Sequence, residues 1–139
     1  MISLTLPFPP SDNHYYSRAE RGHVYLSDEA RRFRRAVERC VVHQLGRPPL
    51  LRGRLAVQVE LNMPDLATRD IPNYAKALLD ALTLAKLWVD DEQLDWFLVT
   101  RGRVIRRTGA CVLQVIETSP VVEQLGLPEV ESVQDMVPF

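Results

Sequence analysis

The chain has 139 residues, of which 46% are hydrophobic and 25% charged, as expected for one globular domain. No apolar run approaches the roughly 18 residues of a membrane span, and the first residues lack the basic and apolar regions of a signal peptide, so we predict a cytoplasmic protein with no membrane partner. Cys40 and Cys111 lie within apolar patterns and not in a metal-type spacing, which indicates reduced core thiols.

The net charge is −1, but basic and acidic residues are distributed unevenly along the chain. Residues 1–116 contain all 17 basic side chains and 13 of the 18 acidic ones, so this part has a net charge of +4. Fifteen of the 17 cations are arginine, whose planar fork suits bidentate phosphate contacts. This bias is compatible with DNA binding, and GC-rich coding DNA explains it equally well.

The first third of the chain predicts two short strands and a helix. Ile2–Leu6 alternates like a strand and runs into a proline-rich loop, and residues 23–26 are a second extended candidate. Ser27 predicts a helix N-cap with acidic residues after it. Apolar residues then recur at helical spacing as far as Leu45, and Gly46 with the following prolines ends the helix.

The remaining elements complete an α+β domain. Residues 55–63 alternate like a strand with one buried face, residues 72–86 predict a second helix, and residues 88–93 a turn. Residues 96–103 and 110–117 predict two closing strands around a turn at 106–109. The order β-β-α-β-α-β-β implies a single domain, a mixed β-sheet of about four to five strands with two main helices packed on it. Residues 119–139 are predicted to be an acidic tail, weakly structured or docked on a partner.

Carboxylates flank the second predicted helix. Asp70 lies between a strand and the helix N-terminus, where the field is partly positive, and Asp90 and Asp91 lie beyond its other end. If the chain folds back, they meet and share a hard divalent cation such as Mg²⁺, which takes oxygen ligands, activates water and stabilises charge during phosphodiester cleavage. Lys76, one turn into the helix, is then placed to contact the scissile phosphate or the departing oxygen.

The same residues also fit a purely structural interpretation. Asp70 then caps the helix, Asp90 and Asp91 form a solvated turn, and Lys76 pairs with Asp80 four residues further on. Spacing alone does not distinguish the two interpretations.

Two stretches resemble the RusA family of Holliday-junction resolvases. One is Arg69-Asp70-Ile71-Pro72-Asn73-Tyr74-Ala75-Lys76 followed by Trp88-Val89-Asp90-Asp91-Glu92-Gln93. The other is Pro9-Pro10-Ser11-Asp12-Asn13-His14-Tyr15-Tyr16, which is similar to the family's Pro-Pro-Ser-x-Asn-x-Tyr-Tyr opening. The resemblance runs in order over residues 4–117 and implies a resolvase domain at 1–118. RusA-like proteins are homodimeric, Mg²⁺-dependent endonucleases that nick opposed strands of four-way junction DNA symmetrically in recombination and repair, and prophages often carry their genes.

By position, the resemblance implies roles for particular residues. Asp70 and Asp91 are implied to be catalytic metal ligands with Asp90 as a further metal ligand, Mg²⁺ (or Mn²⁺ as substitute) to be the cofactor, and Lys76 to be the catalytic lysine. The candidate DNA-binding residues are Arg69, Asn73, Arg101, Arg103, Asn13, Tyr15 and Tyr16. The two tyrosines either stack on unpaired bases or pack their loop onto the sheet.

Position 72 departs from the family pattern, which is Asp-x-Asp-Asn. Pro72 suits the start of a helix and fixes Ile71 as extended, but its side chain has no ligand atom. Two hypotheses follow: an active resolvase with a reduced metal site, and a junction-binding protein that cleaves poorly or not at all.

The tail contains Gln124-Leu125-Gly126-Leu127-Pro128, which resembles the Gln-Leu-x-Leu peptide through which bacterial replication proteins engage the sliding clamp. Two leucines on an extended segment suit a pocket, and a simple tail or a strand docked on the dimer partner explains the same residues.

Overall fold

The computed structural model describes residues 1–118, so the tail, its clamp-type peptide and the predicted boundary at 118 lie outside the described residues. The elements are strands β1 (Ile2–Leu6), β2 (Tyr16–Arg18), β3 (Val24–Leu26), β4 (Leu55–Asn62), β5 (Leu94–Arg101) and β6 (Ala110–Glu117), and helices α1 (Asp12–Tyr15), α2 (Asp28–Leu45) and α3 (Ala75–Leu84). Two short 3₁₀ turns, Ile71–Tyr74 and Asp91–Gln93, precede α3 and β5. Over residues 1–118, no helix has both the length and the apolar character to cross a membrane.

The main sheet has four strands in the order β1-β6-β4-β5. Only β4 and β5 are parallel, and α3 makes the crossover between them. The predicted α+β domain with a mixed sheet and two main helices is therefore confirmed. The strand predicted at residues 23–26 pairs instead with β2, which the sequence did not predict, in a separate two-stranded sheet.

Local signals set the ends of α2. The Ser27 hydroxyl accepts a hydrogen bond from the Ala30 amide at 3.1 Å, as the predicted N-cap requires. Gly46 has a φ of 83° and its amide donates to the Val42 carbonyl at 2.8 Å, which ends the helix. Both predicted ends are confirmed. They could be predicted from the sequence because each depends on a hydrogen bond within one helical turn.

The core lies between α2, α3 and one face of the main sheet, and its largest fully buried side chain is Trp88. The prediction that residues 55–63 bury one face was wrong, because Ala56, Gln58 and Asn62 on the other face are also buried. The strand β4 lies between β5 and β6, so side chains from both neighbours flank its outward residues. The strand predicted at 96–103 begins and ends two residues earlier, as β5.

The approach to α3 is a 3₁₀ turn. Asp70 is extended, with φ −93° and ψ 119°, and the Asn73 amide donates to its carbonyl at 3.0 Å. This bond draws Ile71 into the turn, so the predicted extended conformation of Ile71 was wrong. Pro72 lies in the first turn, where its missing amide hydrogen costs nothing.

Candidate functional site

The predicted carboxylates lie at opposite ends of α3. Asp70 precedes its N-terminal end, whereas Asp90 and Asp91 follow its C-terminal end and lead into β5. The ten residues of α3 alone span about 15 Å. The side chain of Asp70 makes no capping hydrogen bond. A single copy of the chain therefore does not bring Asp70 to Asp91, contrary to the expectation that the chain folds back.

The C-terminal end of α3 forms a cleft of about 340 Å³. The cleft is lined by Arg34, Asp80, Thr83, Leu84, Asp90 and Asp91. A hydrogen bond that the protonated Asp91 donates to Asp90, partial desolvation and the nearby negative charges of Asp90 and Asp80 raise the pKa of Asp91. The sequence did not predict Asp80 or Arg34 here, because only the packing of α2 against α3 brings them together. This cleft concentrates negative charge beside one arginine.

Gln93 holds the Asp90–Asp91 turn in place. Its side-chain oxygen accepts from the amides of Val89 and Asp90, both at 2.9 Å, and its Nε2 donates to the carbonyls of Leu51 and Gly53 at 2.9 and 2.8 Å. The Asp90 carboxylate also accepts from the backbone of the turn. Asp90 thus has a structural role in the turn, although both Asp90 and Asp91 are exposed.

The N-terminal end of α3 carries Lys76, with Asp12 close by. The Asp12 carboxylate accepts a hydrogen bond from the Ala77 amide at 3.2 Å. Partial burial raises the pKa of Asp12, against the opposing effects of the Ala77 hydrogen bond and the Lys76 charge. No ion pair joins Lys76 to Asp80 within residues 1–118, so that structural interpretation of Lys76 was wrong. Asp12 belongs to the N-terminal motif, and nothing in its spacing pointed to α3.

The tyrosines of the N-terminal motif have different surroundings. Tyr15 is fully buried, and its hydroxyl accepts from Arg34 Nε at 2.8 Å and Nη2 at 2.5 Å. Tyr16 is 40% exposed and meets the Tyr15 ring edge-on, with centroids 4.9 Å apart. Packing therefore accounts for Tyr15, and Tyr16 alone of the two presents its ring to solvent. Asn13 is exposed on α1, and Asn73 is half-buried in the first 3₁₀ turn.

Arginines gather at the end of the sheet near Asp70. Arg69 forms a two-point ion pair with Asp65, which lowers the pKa of that carboxyl. Arg101 donates from its guanidinium to the Arg69 carbonyl at 2.6 Å, so these two predicted DNA-binding residues do lie together. Arg103 is exposed in the loop that follows β5. Asp65, although close to Asp70 in the chain, is thus already paired with Arg69.

The carboxylates suit Mg²⁺ by their chemistry, because Mg²⁺ prefers oxygen ligands and is often held by one or two carboxylates with water and phosphate. However, no group of three or more His, Cys, Asp or Glu converges on an ion position anywhere in residues 1–118. One copy thus offers carboxylates at two separate places, each able to supply only part of a site.

Carboxylates, a lysine and clustered arginines around one helix of an α+β domain are typical of a metal-dependent nuclease. A family model described as endodeoxyribonuclease RusA matches residues 7–115. The crossover junction endodeoxyribonuclease RusA of Escherichia coli strain K12 is 40% identical over 104 residues, which cover 75% of this chain and 85% of that protein. Its namesake from Enterobacteria phage 82 is 40% identical over 106 residues, 74% of this chain and 84% of the phage protein. The chain belongs to the RusA family of endodeoxyribonucleases.

Proposed function

We propose that the protein is a Holliday-junction resolvase, an endonuclease that nicks opposed strands of four-way DNA in recombination and repair. The family match over residues 7–115 carries this proposal. Asp70, Lys76 and Asp91, which match the family pattern by position, support it. The phage relative supports a prophage origin, and a substrate of chromosomal or phage DNA fits the predicted cytoplasmic location.

The chemistry assigns a task to each end of α3. When bound, Mg²⁺ would supply an activated water and stabilise the charge that develops on the phosphate. Asp70 and Asp91 would hold the ion, and Asp90 would keep Asp91 in place through the turn that it caps. Lys76 would place its ammonium beside the scissile phosphate or the departing oxygen.

We further propose that each metal site is shared between two copies of the chain. Asp70 and Asp91 of one copy are separated by the length of α3, about 15 Å for its helical residues alone, so they cannot bind one ion together. A homodimer allows Asp70 and Asp91 to bind one ion if Asp70 of one protomer faces Asp91 of its partner. Two-fold symmetry then creates two equal sites, as two symmetric nicks require.

The outer face of the main sheet supports a homodimer. Trp96, Leu98 and Ile116 are half-buried on the face opposite the helices, where the strand register aligns Leu98 with Gln58 and Gln114. The side-chain oxygens of Gln58 and Gln114 are buried, and the rest of residues 1–118 gives them no hydrogen-bond partner. A second copy could not reach these oxygens, so the support for a dimer comes from the half-buried apolar side chains of this face, which a second copy would cover. Analytical ultracentrifugation is expected to find a dimer for the full chain and a monomer for Leu98→Glu; a wild-type monomer at assay concentrations would refute the proposal.

The arginine group near Asp70 is proposed to bind the junction arms. Replacing Arg101 and Arg103 by alanine is expected to flatten the dependence of junction affinity on salt by about one unit of slope for each phosphate that the variant no longer neutralises. Arg39, exposed on α2, provides a matched single control. A slope equal to that of the wild type would remove these residues from the DNA surface.

Pro72 favours a second candidate function, a junction-binding protein that cleaves weakly or not at all, because it lacks the carboxylate of the family pattern. The test is a titration of Mg²⁺ and Mn²⁺ with a labelled four-way junction, using linear duplex DNA as control. Paired nicks in opposed strands support the resolvase, whereas tight binding without nicks in either metal supports the second candidate.

We also propose, from the peptide at residues 124–128, that the tail contacts a sliding clamp. A synthetic peptide of residues 119–139 that does not bind the clamp would remove this idea.

A further inference from the structure

The N-terminal segment contacts the start of α3 at Lys76 and at Ala77, the residue after it. The Lys76 Nζ lies 5.4 Å from the centroid of the Tyr16 ring, within the range of a cation–π contact. Asp12, four residues before Tyr16, accepts a hydrogen bond from the Ala77 amide, one residue after Lys76. The backbone and the ammonium of Lys76 are thus approached by the same short segment of chain.

The Tyr16 ring is itself fixed. The backbone of Tyr16 pairs with Leu26 in the two-stranded sheet. Its ring meets the buried ring of Tyr15 at an interplanar angle of 87°, and Tyr15 is in turn anchored by Arg34. Lys76 therefore contacts an aromatic surface that the fold holds rigidly, and this support reaches back to the cleft that Arg34 lines.

We infer that Tyr16 is a positioning residue for Lys76: its ring restrains the ammonium at the N-terminal end of α3. A lysine has a flexible four-carbon stem, so an exposed ammonium samples many rotamers unless a neighbour restricts it. Tyr16 acts here through Lys76, and not by stacking on DNA. The inference rests on the proposed function only where it assigns Lys76 a part in cleavage.

The restraint can be measured without metal or DNA. In the full-length protein, the side-chain ε-methylene resonances of Lys76 should be shifted by the ring current of Tyr16. Tyr16→Leu is expected to abolish this shift, and Tyr16→Phe, which keeps the ring, to retain it. Tyr25→Leu is the matched control, since Tyr25 is an exposed tyrosine of the same two-stranded sheet and no cation–π contact joins it to Lys76 within residues 1–118. A Lys76 spectrum that is the same in wild type and Tyr16→Leu would overturn the inference.

Kinetics separate positioning from DNA stacking. With saturating junction, Tyr16→Leu is expected to slow single-turnover nicking about two- to fivefold, the value of an exposed cation–π contact, while junction affinity stays constant. A loss of affinity with an unchanged rate would overturn the inference in favour of base stacking. If the wild type does not nick at all, the proposed resolvase activity fails, and the Lys76 resonances still decide whether Tyr16 restrains the ammonium.

Discussion

Gln93 is predicted to be the residue on which the Asp90–Asp91 turn depends, and Gln93→Glu tests this with little change in shape. The substitution keeps an acceptor for the amides of Val89 and Asp90 but replaces the donor to the Leu51 and Gly53 carbonyls by an oxygen. Two hydrogen bonds disappear and two carbonyls face a buried anion, since Gln93 is only 7% exposed. From about 1–3 kcal/mol for each of the two buried carbonyls left without a donor, we expect a decrease of about 2–6 kcal/mol in the free energy of unfolding.

The assay is urea unfolding at neutral pH, followed by the fluorescence of the buried Trp88 and the half-buried Trp96. Gln44→Glu is the control, because the exposed Gln44 side chain also accepts from an amide and donates to a carbonyl, both of Thr5, with one bond of each kind where Gln93 has two. Water can replace the missing bond, so the control should cost about 1 kcal/mol or less. Equal costs for the two substitutions would refute the reasoning that burial makes Gln93 important.

Three further predictions concern the metal site, a core thiol and a surface ion pair. Pro72→Asp should lower the Mg²⁺ concentration needed for half-maximal nicking, because it restores a carboxylate beside Asp70; an unchanged midpoint would mean that position 72 does not reach the ion. Burial raises the pKa of the Cys111 thiol to about 12. A thiol reagent should therefore modify Cys111 only as fast as the protein unfolds in urea, and rapid labelling of the native protein would contradict this prediction. The Arg54 guanidinium holds the pKa of Asp95 below its ordinary value of 3.8. The ionised Asp95 therefore stabilises the fold above pH 3.8, and this stabilisation is lost as the pH falls through the lowered pKa. Asp95→Asn should reduce the urea midpoint at neutral pH and change it little in acid. A difference between the two proteins that does not depend on pH would count against the ion pair.

The sequence predicted those features that depend on nearby residues. Ser27 and Gly46 set the ends of α2 through bonds within one helical turn. The strand Ala110–Glu117 was predicted with its observed bounds, because clear turn residues come directly before it. The strand β2 was missed because two of its three residues are polar, whereas the equally short β3 is apolar throughout, and β2 is stabilised by pairing with β3.

The candidate site was only partly predictable, for reasons of topology. The motif predicts Asp70, Lys76 and Asp91 as site residues, but spacing along the chain does not reveal which way α3 runs relative to the sheet. The parallel pairing of β4 and β5 sends α3 back across the sheet and separates the two aspartates. Arg34 was missed because helical periodicity does not show which neighbouring helix a side chain meets.

The central claim is that each catalytic site takes Asp70 from one protomer and Asp91 from its partner. The direct test mixes Asp70→Asn with Asp91→Asn, allows the subunits to exchange, and assays nicking of a labelled four-way junction in Mg²⁺. Each variant alone should be inactive, whereas heterodimers contain one intact site, so an equimolar mixture should recover roughly a quarter of the wild-type sites by two-fold symmetry.

A mixture of Asp70→Asn with Lys76→Met is the control, because both residues lie at the same end of α3. No heterodimer of that pair keeps an intact site, and it should stay inactive. Nicking by the first mixture alone is the result that we predict. Absence of nicking in the first mixture, when differently tagged subunits verify that heterodimers have formed, would contradict the shared site.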